Sequence, residues 1–307
     1  MKEKEFINII QNTLSSKYIG DDCAYLEDLG IVVSQDSLVE EVHFSRRYFT
    51  PYQLGYKSVA VNISDICASG AEPKYLTIAL SLPDKTEDKF IEDFYNGAKD
   101  ACFGAEIVGG DITGADKIYV SVCAIGSVKG RKISSRGGAK VGQKVVISGK
   151  HGLSAVGLSI LSGQNYEQLF EDEKKRLIDA HIMPKPQMEF SKRIATCQMG
   201  KYAMMDTSDG LADALSVIAD MSGVMLEIYY DKIPTDAALV KIPNNKDFIL
   251  YGGEDYGLVA TTDEVSDFTV IGEVKSGSGV KLNYSDGTYD LLSKKEVENK
   301  LYKHFKE

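Results

Sequence analysis

Short runs rich in β-branched residues alternate along the chain with longer stretches whose apolar positions recur at helical spacing. That alternation predicts an α/β or α+β architecture. Strands are expected at 31–34, 75–82, 105–108, 118–125, 144–148, 202–205, 224–228 and 248–251. The clearest helix start is Thr50-Pro51-Tyr52-Gln53. Thr50 can cap, Pro51 sits at the first helical position without losing a needed donor, and Gln53 can close a capping box. This helix should run to about Ser69, before Gly70. A second is predicted from near Thr86, with Glu87 and Asp88 at its positive end, stopping by Gly104. A third should span Asp209 to Met221, before Gly223. There is no internal repeat or low-complexity tract.

At 307 residues, two domains are expected. The Gly-, Ser- and Arg-rich stretch Lys129 to Gly142 precedes a fresh apolar strand at Lys144-Val145-Val146-Ile147. It places the cut near residue 135, dividing the chain into 1–135 and 136–307. A composition 43% hydrophobic and 26% charged is that of folded domains. The net charge of −10, with no tight cationic cluster beyond the short stretch from Lys129 to Arg136, argues against a nucleic-acid surface. No apolar run approaches the roughly 18–20 residues of a membrane helix, and the charged start Met1-Lys2-Glu3-Lys4-Glu5 is unlike a signal peptide. No membrane partner and a cytoplasmic location are therefore expected. Five scattered cysteines without a C-x-x-C pair indicate neither a disulfide framework nor a zinc site.

Three apolar segments run into aspartates: Ile31 to Asp36, Ile107 to Asp111 and Ala203 to Asp206. A carboxylate at a strand's carboxyl edge lies where open α/β sheets collect ligands. One such aspartate reads as a turn residue or cap. Three, beside Asp21-Asp22 and the helix-borne Asp65, point to a metal–carboxylate cluster. Hard Mg²⁺ binds through a few carboxylates plus substrate phosphates, which is a phosphoryl-transfer inventory. Gly109-Gly110 can bring backbone N–H groups close to a phosphate. Ser208, in Asp206-Thr207-Ser208-Asp209-Gly210, reads equally as a helix N-cap or a nucleotide contact. His43 reads as a half-buried strand histidine or a substrate contact, and His151, His181 and His304 carry no local pattern. Neither a P-loop, a protein-kinase catalytic loop nor a G-x-G-x-x-G fingerprint is present.

Read in order, these segments resemble the thiamine-monophosphate kinase family, in the superfamily of aminoimidazole ribonucleotide synthetase. The resemblance rests on Ile19 to Ala24, Asp36 to Phe44, Val61 to Pro73, Val108 to Asp111, Ser135 to Ala139, Asp206 to Leu211 and Gly252 to Tyr256. It implies a two-domain aminoimidazole ribonucleotide synthetase-like fold whose N-terminal domains pair in a homodimer. Nucleotide would lie between the shared groove and the C-terminal domain. It implies transfer of the ATP γ-phosphate to thiamine monophosphate, giving thiamine diphosphate and ADP, with several Mg²⁺ ions. Asp21, Ser34, Asp36, Asp65, Asp111, Asp206 and Asp209 are then implied metal ligands, with Asp36, Asp65, Asp111 and Asp209 closest to catalysis. Tyr95, Gly110, Arg136 and Ser208 are implied ATP contacts. His43, Glu254 and an aromatic, Tyr302 or Phe305, are implied to face the acceptor.

Both substrates are anionic, so the chemistry needs charge neutralisation and positioning more than a covalent intermediate. An accepting phosphate, with a second pKa of about 6, is already nucleophilic at neutral pH and needs no general base. Two positions depart from the family pattern: Gln35 replaces a threonine, and Gly257 replaces an acidic residue. The chain has no Trp to stack on substrate. The sister synthetase reaction, and a non-catalytic nucleotide-binding role, are the alternatives, with His43 and Glu254 as discriminators against the synthetase.

Overall fold

A computed structural model describes residues 2–304. The first half runs α1 (Lys2–Leu14), β1 (Ala24–Leu26), β2 (Ile31–Val39), α2 (Pro51–Ala68), β3 (Glu72–Leu82), α3 (Asp88–Asp100), β4 (Glu106–Gly114) and β5 (Tyr119–Ser127). Next come β6 (Lys144–Ile147), α4 (Leu153–Leu161), α5 (Glu171–Ile182), α6 (Met188–Cys197), β7 (Met204–Asp206), α7 (Leu211–Ser222) and β8 (Met225–Tyr229). The chain finishes with α8 (Ala237–Val240), α9 (Asn245–Tyr251), β9 (Leu258–Thr262), β10 (Thr269–Lys275), β11 (Gly279–Asn283), β12 (Tyr289–Leu292) and α10 (Lys294–Lys300).

The strands form two sheets, one of five strands in the order β1-β2-β5-β3-β4 and one of seven in the order β12-β11-β8-β10-β6-β9-β7. In the first, only β3 and β4 run parallel, joined through the crossover helix α3. In the second, only β11 and β8 do. Residues 128–143 connect the sheets without a strand or helix.

Helix α2 organises the molecule. Its start is the predicted one: Thr50 accepts from the Gln53 amide and Gln53 reciprocates. Fourteen of its 18 residues are buried, so it is covered all round rather than amphipathic. One side packs on β2, β5 and α3, the other on β7, α5 and α6 of the second half. Gly55 of α2 and Gly97 of α3 make that pair close, since a Cβ on either would collide with the other helix's backbone. The core around α2 accordingly takes in Val146, Met204 and Leu258 from the second sheet. A second core lies between that sheet and α7.

Three expectations change. Residues 248–251 lie in helix α9, not a strand; Ile249 and Leu250 are buried and α9 packs on α7. A short apolar run cannot by itself separate a strand from a buried helix. Asp36 and Asp111 lie inside β2 and β4 rather than at their carboxyl ends. Only Asp206 ends its strand. Among the described residues, no helix is long and apolar enough to cross a membrane.

Candidate functional site

The site is assembled on α2. Asn62, Ser64 and Asp65 project from one stretch of this helix toward β2 and the end of β7. The Asn62 side-chain oxygen accepts the Asp36 backbone N–H at 2.9 Å, fixing β2 where Asp36 sits. Ser64 donates to Asp206 Oδ2 at 2.7 Å, joining the end of β7 to the helix. Ser34 of β2 donates to Asp65 Oδ2. The turn before β1 brings in Asp22, so one carboxylate oxygen each of Asp22, Asp65 and Asp206 lies within 4.8 Å of the others.

Such a cluster is costly to bury without counter-charge. Burial, then repulsion from Asp36 and Asp206, pushes Asp65 well above the ordinary carboxylate value. Burial, with repulsion from Asp206 and Asp209, lifts Asp36 to about 6. Burial likewise lifts Asp22 to about 6, against the pull of Arg136. Arg136 holds Asp22 with Nε at 3.2 Å and a second guanidinium nitrogen at 3.0 Å, while its backbone N–H donates to Asp21 at 2.7 Å. One guanidinium does not neutralise the group. An all-oxygen donor set carrying excess negative charge fits a hard divalent cation.

Beside the cluster lies a cavity of about 360 Å³, within the roughly 300–1,000 Å³ of small-molecule sites. Asp36, Ser208 and Asp209 line the side nearest the carboxylates; His43, Glu254 and Tyr302 line it elsewhere. Asp36 and Asp209 thus face both the charged cluster and the cavity. His43 Nδ1 accepts the Val39 N–H at 3.0 Å, so in its neutral form the ring proton is on Nε2. The His43 ring stands 5.2 Å from that of His304, which in turn stands 5.2 Å from Tyr302. Glu254 and Tyr256 both have positive φ, at 64° and 50°. Between them, Asp255 turns away to accept the backbone N–H groups of Gly152 and Ser154 at the start of α4.

The structure brings together Ser34, Asp36, Asp65, Asp206, Ser208 and Asp209, with His43, Glu254 and Tyr302 across the cavity. Asp21 is not in the close carboxylate trio; its neighbour Asp22 is, and Asp21 lines a different cavity of about 440 Å³. Ser208 does not cap α7, whose N-cap is Gly210; its hydroxyl donates to Asp206 at 2.7 Å. The Arg136 fork is engaged by Asp22. Tyr95 is packed against the α2 core, and Gly110 and Asp111 lie on the exposed edge strand β4, apart from the cavity lining. A Cβ at Gly110 would strike the Ile78 backbone of β3, so strand packing alone requires that glycine. Phe305 lies outside the described residues.

Sequence reasoning passed over Lys57 and His181, whose nitrogens lie 3.1 and 3.3 Å from the Glu254 carboxylate. A single lysine inside the apolar run of α2 was the available signal for the first. Gly257 also has a local cause: a Cβ there would lie 2.6 Å from His151 Cε1 and 2.9 Å from the Ser148 carbonyl oxygen.

Residues 20–128 match the family described as AIR synthase related protein, N-terminal domain, and residues 140–285 match its C-terminal domain. The thiamine-monophosphate kinase of Aquifex aeolicus (strain VF5) is 37% identical, over 97% of this chain and 96% of that protein. The thiamine-monophosphate kinase of Bacillus subtilis (strain 168) is 34% identical over 94% and 93%. A solved structure described as AaThiL complexed with AMPPCP and TMP superposes with a TM-score of 0.85 at 35% identity, covering 99% of this chain and 98% of that one. The hydrogenase maturation protein HypE, at 21% identity and a TM-score of 0.65 over 91% and 94%, shares the fold.

Proposed function

Because the chain belongs to the thiamine-monophosphate kinase family of AIR synthase related proteins, we propose that it transfers the γ-phosphate of ATP to thiamine monophosphate, giving thiamine diphosphate and ADP. The observation that carries this reading is the position of Asp36 and Asp209. They line the cavity and are also within electrostatic reach of each other beside the buried carboxylates, so an acceptor in the cavity would lie against the carboxylate cluster. The relative solved with AMPPCP and TMP supports an ATP-type donor and this acceptor.

Asp22, Asp36, Asp65, Asp206 and Asp209 would hold Mg²⁺, with the Ser34 hydroxyl beside Asp65. Bound there, Mg²⁺ would neutralise phosphate charge. The chain's own groups place the acceptor. His43 presents an Nε2–H donor, Glu254 a carboxylate, and Tyr302 an aromatic face at the rim. An oxygen of the acceptor phosphate forms a bond to the γ-phosphorus as the bond to the β–γ bridging oxygen breaks, and ADP leaves. The acceptor is already largely a dianion at neutral pH, so no side chain has to remove a proton.

We further propose a homodimer formed through the five-stranded sheet. Its edge strand β4 is exposed along nearly its whole length, including Val108 and Ile112, and an apolar edge of this kind is normally covered. Gly110 and Asp111 would then face the shared groove, and Tyr95 would be recruited to nucleotide from the same half. Residues 1–135 would form the dimerising, nucleotide- and metal-binding domain and residues 136–307 the domain that completes the site; the location would be cytoplasmic.

The test is ADP release from Mg-ATP with thiamine monophosphate, with thiamine, and with no acceptor. Release that depends on the monophosphate supports the reading. A folded protein that binds ATP and releases ADP with none of these contradicts it.

A further inference from the structure

Glu254 stands on the wall of the acceptor cavity, and its carboxylate is held from behind. Lys57, on the second turn of α2, has a side chain with no exposed surface, and its Nζ lies 3.1 Å from Glu254 Oε1. Nζ makes no hydrogen bond to any other group among the described residues, and the other face of the ammonium looks at the Phe49 ring, 5.4 Å away. The second carboxylate oxygen lies 3.3 Å from His181 Nδ1 on α5, which also meets the Ser154 hydroxyl at 3.0 Å. A lysine ammonium in such a place is expensive unless it is matched by a fixed negative charge.

We infer that Lys57 is the positioning residue of the acceptor site: its ammonium sets the place and charge of the Glu254 carboxylate that meets the acceptor. This rests on the kinase reading, under which the acceptor is an aminopyrimidine joined to a cationic thiazolium, a ligand with N–H donors and positive charge. A carboxylate held on one side by a buried cation keeps its remaining lone pairs for such a ligand.

The neighbouring groups leave this task to Lys57. Burial would raise Glu254, yet the charges of Lys57, His181 and His43 hold it below its ordinary value. Of these three, His181 is pushed down to about 3 by burial and by Lys57, and is therefore neutral at physiological pH. Burial and the nearby His304 also lower His43. Among the described residues, Tyr48, Asp255 and Tyr256 also lie within electrostatic reach of Glu254, and Asp36, Asp209, Tyr251, Tyr302 and His304 line the same cavity; none of them carries a permanent positive charge. Lys57 is left as the standing positive charge.

The experiment is a double-mutant cycle on the full-length protein with Lys57→Met, Glu254→Gln and the pair. Each single variant is expected to raise the KM for thiamine monophosphate about tenfold or more, with the KM for ATP within about twofold. The double variant should lose little beyond the worse single one, because both remove the same interaction. In Lys57→Met the acceptor KM should also rise more steeply than in the wild type as pH falls, because burial without the ammonium raises Glu254 and neutralises it on the acid side, whereas protonation of the acceptor phosphate affects both proteins alike. Penalties that multiply, or a loss confined to kcat, would overturn the inference. If Lys57→Met does not fold, the wild type decides. The Glu254 carboxyl, assigned by ¹³C NMR against Glu254→Gln, should titrate below the ordinary glutamate range, and titration at or above that range overturns the inference. The NMR readout needs no turnover, so it separates failure of this inference from failure of the kinase reading.

Discussion

Replacing Asp65 by Asn should abolish turnover while making the metal-free protein more stable. Asp65, Asp22 and Asp206 each place an oxygen within 4.8 Å of the others, and two unit charges at that distance repel by about 3.5 kcal/mol at an effective dielectric of about 20. Proton uptake by Asp65, already pushed well above its ordinary value, absorbs part of this repulsion. The Asn amide oxygen can still accept from Ser34, so that hydrogen bond survives. The net gain without metal is expected at about 1–3 kcal/mol, or about 2–6 °C in Tm for a chain of this size. With Mg²⁺ the variant's advantage should be cancelled or reversed. A cation at a hundred times its Kd stabilises the wild type by about 2.7 kcal/mol, and the variant, short of one ligand charge, should gain far less. Calorimetry in chelator and in Mg²⁺, run beside the ADP-release assay, reads both effects. Wild-type-like turnover, or a variant that melts below the wild type in chelator, would refute the reasoning.

Three further outcomes follow from named contacts. His43→Ala removes an Nε2–H donor at the cavity and should raise the KM for thiamine monophosphate while leaving ATP affinity, measured by titration calorimetry, largely intact; an unchanged KM would make His43 structural. Gly257→Glu puts a Cβ 2.6 Å from His151 and should cost about 1–3 kcal/mol in urea unfolding, partly recovered by adding His151→Ala; an additive or neutral result would refute the steric account. Asp255 is raised by burial to about 7. A raised carboxylate contributes stability that is complete below its unfolded value near 4 and is lost as pH rises through about 7. The stability of wild type minus that of Asp255→Asn should therefore fall as pH rises from about 5 to 8, and a flat or rising difference would contradict the assignment.

What the sequence disclosed was local and periodic. Thr50, Pro51 and Gln53 announce α2 because capping chemistry lies within four residues, and Gly223 closes α7 with the left-handed conformation that glycine adopts freely. Asp36, Asp65, Asp206 and Asp209 stood out as carboxylates, and the fold gathers them. Choosing between Asp21 and Asp22 was beyond sequence, since adjacent carboxylates differ only in which way the turn before β1 aims them. The apolar run 248–251 reads as a strand but forms helix, because burial, not periodicity, decides so short a run. Lys57 was hidden by its setting. A lysine in an apolar helix signals a buried partner, but the partner, Glu254, lies 197 residues away in sequence and only the packing of α2 against the second half reveals it.

The most direct test of the account follows the transferred group itself. Protein incubated with ATP labelled at the γ-phosphate, Mg²⁺ and thiamine monophosphate should move the label into thiamine diphosphate, identified by chromatography, and should move none into thiamine when that is offered instead. Label appearing only in inorganic phosphate, or remaining in ATP while the protein is folded and nucleotide-bound, would contradict it.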